Sequence, residues 1–69
     1  MSEKEKIVGT KIKLLRKKKG ITLRELARRA GFTAAYISLI ENSKVDPSLH
    51  SLRKISEALD VSILSLIHI

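Results

Sequence analysis

The chain has no cysteine and no tryptophan, one proline, three glycines, and a single tyrosine and phenylalanine among its 69 residues. Without cysteine, neither a disulfide nor a thiolate metal site can staple so short a chain, and packing alone must hold it. At this length a split into two units would leave neither with a viable core, so residues 1–69 read as one domain. No apolar run approaches the roughly 18 residues of a membrane-spanning helix, and 43% apolar content is ample for one core. The start, Met1-Ser2-Glu3-Lys4-Glu5-Lys6, carries acid where a signal peptide needs a basic stretch, which points to a cytoplasmic protein.

Catalytic groups are equally scarce. His50 and His68 are the only histidines, the carboxylates are scattered without a spaced pair, and no glycine-rich phosphate loop is present. These absences argue against an enzyme, a metal site or a bound cofactor.

Charge is what the chain has in excess. Fourteen Lys and Arg against seven Asp and Glu give +7, which points to a polyanionic partner such as nucleic acid or acidic lipid. Residues 1–20 hold eight basic and two acidic side chains, whereas residues 21–69 hold six and five. The excess is therefore almost wholly N-terminal, and the total does not locate a binding face. Lys17-Lys18-Lys19 reads as a solvated, dipole-compensating helix end that adds a diffuse attraction for such a polyanion.

Helical periodicity fits nearly everywhere. Val8, Ile12 and Leu15 form one stripe of a first helix over about residues 4–19, with Gly20 as its left-handed stop. Thr22-Leu23-Arg24-Glu25 reads as a capping box opening a second helix, in which the Glu25 carboxylate returns to the cap amide; Gly31 ends that helix. Thr33 caps a third helix from Ala34 to Asn42 with Ile37 and Ile40 inward, which leaves Ala34, Ala35, Ser38 and Leu39 facing out. Asp46-Pro47 resembles a cap with proline at the first helical position, ahead of a fourth stripe of Leu49, Leu52, Ile55, Ala58 and Leu59. Ser62 can cap a fifth, short helix holding Ile63, Leu64, Leu66 and Ile67. The expected fold is all-α and compact, with five helices.

From Leu23 to Asn42, Ala27, Gly31, Ile37 and Ile40 fall at the fifth, ninth, fifteenth and eighteenth places of a twenty-residue unit. Two helices crossing steeply after a short turn need a small residue where backbones approach, a glycine in the turn and apolar groups in the angle. This pattern resembles the helix-turn-helix of the phage Cro and CI repressor class, the Xre family. The resemblance spans about residues 7–65, including Ile12-Lys13-Leu14-Leu15-Arg16, Ile40-Glu41, Pro47-Ser48-Leu49 and Ile55-Ser56-Glu57-Ala58-Leu59-Asp60-Val61.

The resemblance implies a lambda-repressor-like fold with the motif at helices two and three, about residues 23–42. It also implies a sequence-specific, double-stranded-DNA-binding transcriptional regulator, a repressor by type, whose third helix enters the major groove. Thr33, Ala34, Ala35, Ser38 and Leu39 match the family's base-facing positions. Thr22, Leu23, Arg24, Tyr36, Asn42, Ser43 and Lys44 are candidates for backbone contact, with Arg28 as a further cation. Arg16 and Glu41 match the family's structural ion pair. Lacking amides and guanidinium groups, the base-facing set is limited to thymine-methyl contact, hydroxyl bonds and shape. Tyr36 could instead be buried, and Phe32 reads as core.

A homodimer on a pseudo-palindromic operator is also implied. The apolar stretch Val61–Ile69 would be a dimer contact, or else the join to a missing C-terminal effector domain. The rival reading is a protein-interaction module of antitoxin or regulator-partner type, docking through the apolar outer face of helix three. A membrane-surface role for the basic first helix is disfavoured, because Val8, Ile12 and Leu15 are needed for the core.

Overall fold

Every helix start in this chain after the first carries a hydroxyl residue, and each α-helix is followed within two residues by one with left-handed backbone; these signals divide the chain. The computed structural model describes residues 3–67 and, among them, no strand. Helix α1 spans Glu3–Lys18, α2 Leu23–Ala30, α3 Ala34–Glu41 and α4 Leu49–Leu59, followed by one 3₁₀ turn at Ile63–Ser65. The fifth helix expected from sequence is thus only this 3₁₀ turn, and the architecture is four α-helices. Ser62 does cap the turn, accepting from the Leu64 amide at 3.2 Å. Three residues close too few hydrogen bonds to propagate an α-helix. His68 and Ile69, at the end of the stretch considered as a dimer contact, lie outside the described residues.

The caps set the helix boundaries. Thr22, Thr33 and Ser48 each accept the amide of the residue three places on, at 3.1 Å, in extended backbone conformation. Ser48, not Asp46, is therefore the cap of α4, and Pro47 stands before the helix instead of at its first position. The capping box at α2 is half made: Thr22 caps, but the Glu25 carboxylate turns to Arg28 and Arg29. Two guanidinium partners three and four residues on outcompete the cap amide. At the other ends, Gly31 (φ 80°) lets the Phe32 amide reach back to the Ala27 carbonyl at 2.8 Å, which turns the chain sharply into α3. Ser43 (φ 59°) and Asp60 (φ 57°) take the same conformation without being glycine.

Ile12, Leu26, Ile37, Ile40, Ile55, Leu59 and Leu66 are essentially solvent-free, with Ala27, Ala30 and Leu52 completing the core. Val8, Leu15, Leu23 and Phe32 pack against it half-buried. Leu49, expected on the α4 stripe, is instead exposed, at 58%, and Leu64, in the apolar stretch considered as a dimer contact, is exposed at 70%. Helix α2 packs on both α3 and α4, α3 also lies against α1, and α4 holds the 3₁₀ turn.

One close approach decides how α1 meets α3. Gly9 is buried within α1, and a Cβ there would overlap the Ile40 carbonyl oxygen and lie 3.1 Å from that of Glu41. Only glycine lets α1 rest on the C-terminal turn of α3. A mid-helix glycine costs about 1 kcal/mol against alanine, and that cost was the available signal for this close approach in the sequence.

Candidate nucleic-acid interface

Seven residues after Gly9, the same helix fixes α3 a second time. The Arg16 guanidinium donates from Nε to Glu41 Oε2 at 2.7 Å and from Nη2 to Oε1 at 3.1 Å, while Nη1 reaches the Ile21 carbonyl at 2.8 Å. Both side chains are nearly solvent-free. This fork ties the end of α1, the loop before α2 and the end of α3 together. It also consumes the only charge that α3 carries.

The outward face of α3 is consequently neutral. Thr33, Ala35, Leu39 and Asn42 are exposed and Ala34 and Ser38 half-buried, so one side of the helix carries four of the five base-facing candidates beyond its cap. Thr33 and Ser38 supply hydroxyls, and the remainder is methyl and isobutyl. Leu39, 43% exposed, is the largest apolar group on this face.

Tyr36 points elsewhere. Its ring lies edge-on to Phe32 with centroids 5.0 Å apart, and its hydroxyl shares a 2.9 Å hydrogen bond with Ser51 of α4. Ser51 is buried and also receives the Ser48 hydroxyl at 3.1 Å. Tyr36 thus links α3 to the first turn of α4 through a chain of three hydroxyls. Nothing in the sequence signalled this chain, since its three hydroxyls belong to two separate helices and the turn before the second.

Around the α3 face lie the backbone-contact candidates. Leu23 is half-buried against the core, so its side chain offers no polar group for backbone contact. Arg24 and Lys44 are exposed, with no ion pair among the described residues. Arg28 is held by Glu25 in a close ion pair, with Arg29 on the same carboxylate at 2.7 Å. Hydrogen bonds from Arg28 and then Arg29 lower the Glu25 pKa from 4.5 to about 2, and the same bond raises that of Arg28. The α2 cations are thereby partly neutralised, and Arg24 is the one left unshared. Asn42 lies back along α3, its Nδ2 donating to the Ser38 carbonyl at 2.9 Å and to Ser38 Oγ at 3.3 Å. Ser43 follows it in left-handed conformation.

Among the described residues there is no group of three or more His, Cys, Asp or Glu that could hold a metal, and no helix long and apolar enough to cross a membrane. The geometry is that of a short helix, its one charge paired at its back, held by its neighbours with one face bare and flanked by exposed cations. Residues 12–66 match the Helix-turn-helix family, and the chain belongs to it, in its Cro/CI (Xre) branch. It is 44% identical over 63 residues to the HTH-type transcriptional regulator SinR of Bacillus licheniformis, a match covering 90% of this chain and 57% of that protein. The chain therefore spans little more than half the length of these curated relatives. Among solved structures, the N-terminal DNA binding domain of SinR from Bacillus subtilis superposes with TM-score 0.84 at 42% identity, over 91% of this chain and 93% of that one. The P22 c2 repressor protein in complex with synthetic operator 9T superposes with TM-score 0.83 at 31% identity, over 90% and 94%.

Proposed function

We propose that residues 1–69 act as one DNA-reading domain of a transcriptional regulator, a repressor by type, that inserts α3 into the major groove of double-stranded operator DNA. The observation that carries this reading is the bare, charge-free face of α3, clamped from behind by Arg16–Glu41 and Tyr36–Ser51. A helix that must enter a groove needs its base-facing side unengaged and its back rigid. Relatives described as transcriptional regulators and a repressor solved on its operator support it.

In this reading Thr33, Ala34, Ala35, Ser38 and Leu39 face base edges, and thymine methyls and groove shape supply most of the selectivity. Arg24, Lys44, Ser43 and the free amides at Thr22 and Leu23 hold phosphates. The domain works as a homodimer on a pseudo-palindromic site in the cytoplasm, with Leu64 and its apolar neighbours as the self-contact or the join to a further effector domain.

A second reading is favoured by the exposure of Leu39: α3 docks a protein partner through an apolar face. Selection of bound sequences from random duplex DNA at two salt concentrations separates the two. DNA reading yields an enriched, A/T-rich motif at both. Failure to enrich any site at low salt refutes it and favours the partner-docking module.

A further inference from the structure

The amide of Asn42 folds back on its own helix, and the chemistry of that contact fixes which atom points where. The Ser38 carbonyl can only accept, so the amide atom 2.9 Å from it must be the nitrogen. The same NH2 group faces Ser38 Oγ at 3.3 Å, and there the hydroxyl must accept. The amide nitrogen is then engaged on the helix. What Asn42 has left is its carbonyl oxygen, an acceptor, and what Ser38 has left is its proton, a donor that no other bond uses. Accepting from the amide also polarises the O–H and strengthens it as a donor.

We propose that Ser38 and Asn42 act as one composite reader, presenting adenine with a donor for N7 and an acceptor for the N6 amino group. A single asparagine or glutamine presents the same pair to adenine. No such amide stands at the base-facing positions, which are otherwise apolar apart from Thr33, and the Thr33 oxygen is engaged by the Tyr36 amide. Asn42 is exposed and Ser38 half-buried, one helical turn apart on the same side of α3, so both reach the same groove. Guanine presents two acceptors and would set O6 against the amide oxygen; cytosine offers only a donor. The pair thus favours adenine over each. It follows that the Asn42 amide oxygen serves base reading.

This inference rests on α3 being the DNA-reading helix, and the test keeps the two apart. The native chain is first taken through selection on random duplex DNA. Absence of any motif overturns the DNA reading and this proposal with it. Where a motif is enriched, Ser38→Ala and Asn42→Ala are selected in parallel, each first checked by thermal melt. Both should relax the same adenine position by about fivefold, the size of one hydrogen bond, and the double variant by less than the product. Replacing that adenine by 7-deazaadenine should weaken the native chain about fivefold and leave Ser38→Ala unchanged. This last arm uses the native fold and does not depend on the stability of the Asn42 variant. An unaltered motif in Ser38→Ala, or indifference of the native chain to 7-deazaadenine at every adenine, would overturn the composite reader while leaving the DNA reading intact.

Discussion

Replacing Arg16 by alanine should come close to unfolding the domain. The guanidinium makes three bonds, at 2.7, 3.1 and 2.8 Å, two to Glu41 and one to the Ile21 carbonyl. Truncation leaves the Glu41 carboxylate in a site where its side chain is only 3% exposed, with no cation to offset its missing hydration. Removing one partner of such a pair costs about 3–5 kcal/mol. A 69-residue domain has about 3–10 kcal/mol of stability in all, at roughly 0.05–0.15 kcal/mol per residue. Urea unfolding followed by far-UV circular dichroism at low temperature should therefore show a midpoint reduced by about a third or more. Lys17→Ala, one residue away and exposed, should stay within about 0.5 kcal/mol of the parent. The double variant Arg16→Met, Glu41→Leu should be more stable than Arg16→Ala, because no buried charge is left alone. Equal midpoints for Arg16→Ala and Lys17→Ala would refute the assignment of a buried, structural pair.

Gly9→Ala should destabilise by about 1–3 kcal/mol, although helix propensity alone would favour it by about 1, since the new methyl meets backbone carbonyls of Ile40 and Glu41; a raised melting temperature would contradict the close approach. Tyr36→Phe should cost about 0.5–1.5 kcal/mol, and with Ser51→Ala the double variant should cost less than the sum, because the two hydroxyls share one bond. For Glu25, whose pKa falls from 4.5 to about 2 on folding, the stabilisation is present above pH 4.5 and disappears as pH drops toward 2. Glu25→Gln should flatten the acid limb of the stability profile between those values, and high salt should shrink the difference because the cluster is exposed.

The helices were legible because periodicity and caps agree along most of the chain: Thr22, Thr33, Gly31 and the Ile37–Ile40 pair all stand where the pattern places them. Where competition between partners decides, sequence was a poorer guide. Glu25 had two arginines as well as a cap amide within reach, and Ser48 outdid Asp46 as the cap of α4. The terminal apolar run carried helical spacing but closes only a 3₁₀ turn. At the candidate site, the exposure of Ala35 and Leu39 on α3 followed from the two inward isoleucines, whereas Ala34 packs half-buried against the core and Ser38 is half-buried. The bonds Tyr36–Ser51 and Asn42–Ser38 did not, because the first joins separate elements and the second depends on a side-chain rotamer.

In the proposed function the domain divides its labour: N-terminal charge attracts DNA, and the neutral face of α3 chooses the site. The direct measurement is affinity for selected and scrambled duplexes across a salt series, for a Lys17/Lys18/Lys19 triple-alanine variant and for Leu39→Ala. The triple variant should weaken binding to both duplexes alike and flatten the log–log salt slope by up to about 0.9 for each phosphate no longer neutralised. Leu39→Ala should lower the ratio of selected to scrambled affinity and leave the slope unchanged. A changed ratio in the lysine variant, or an unchanged one in Leu39→Ala, would contradict this division.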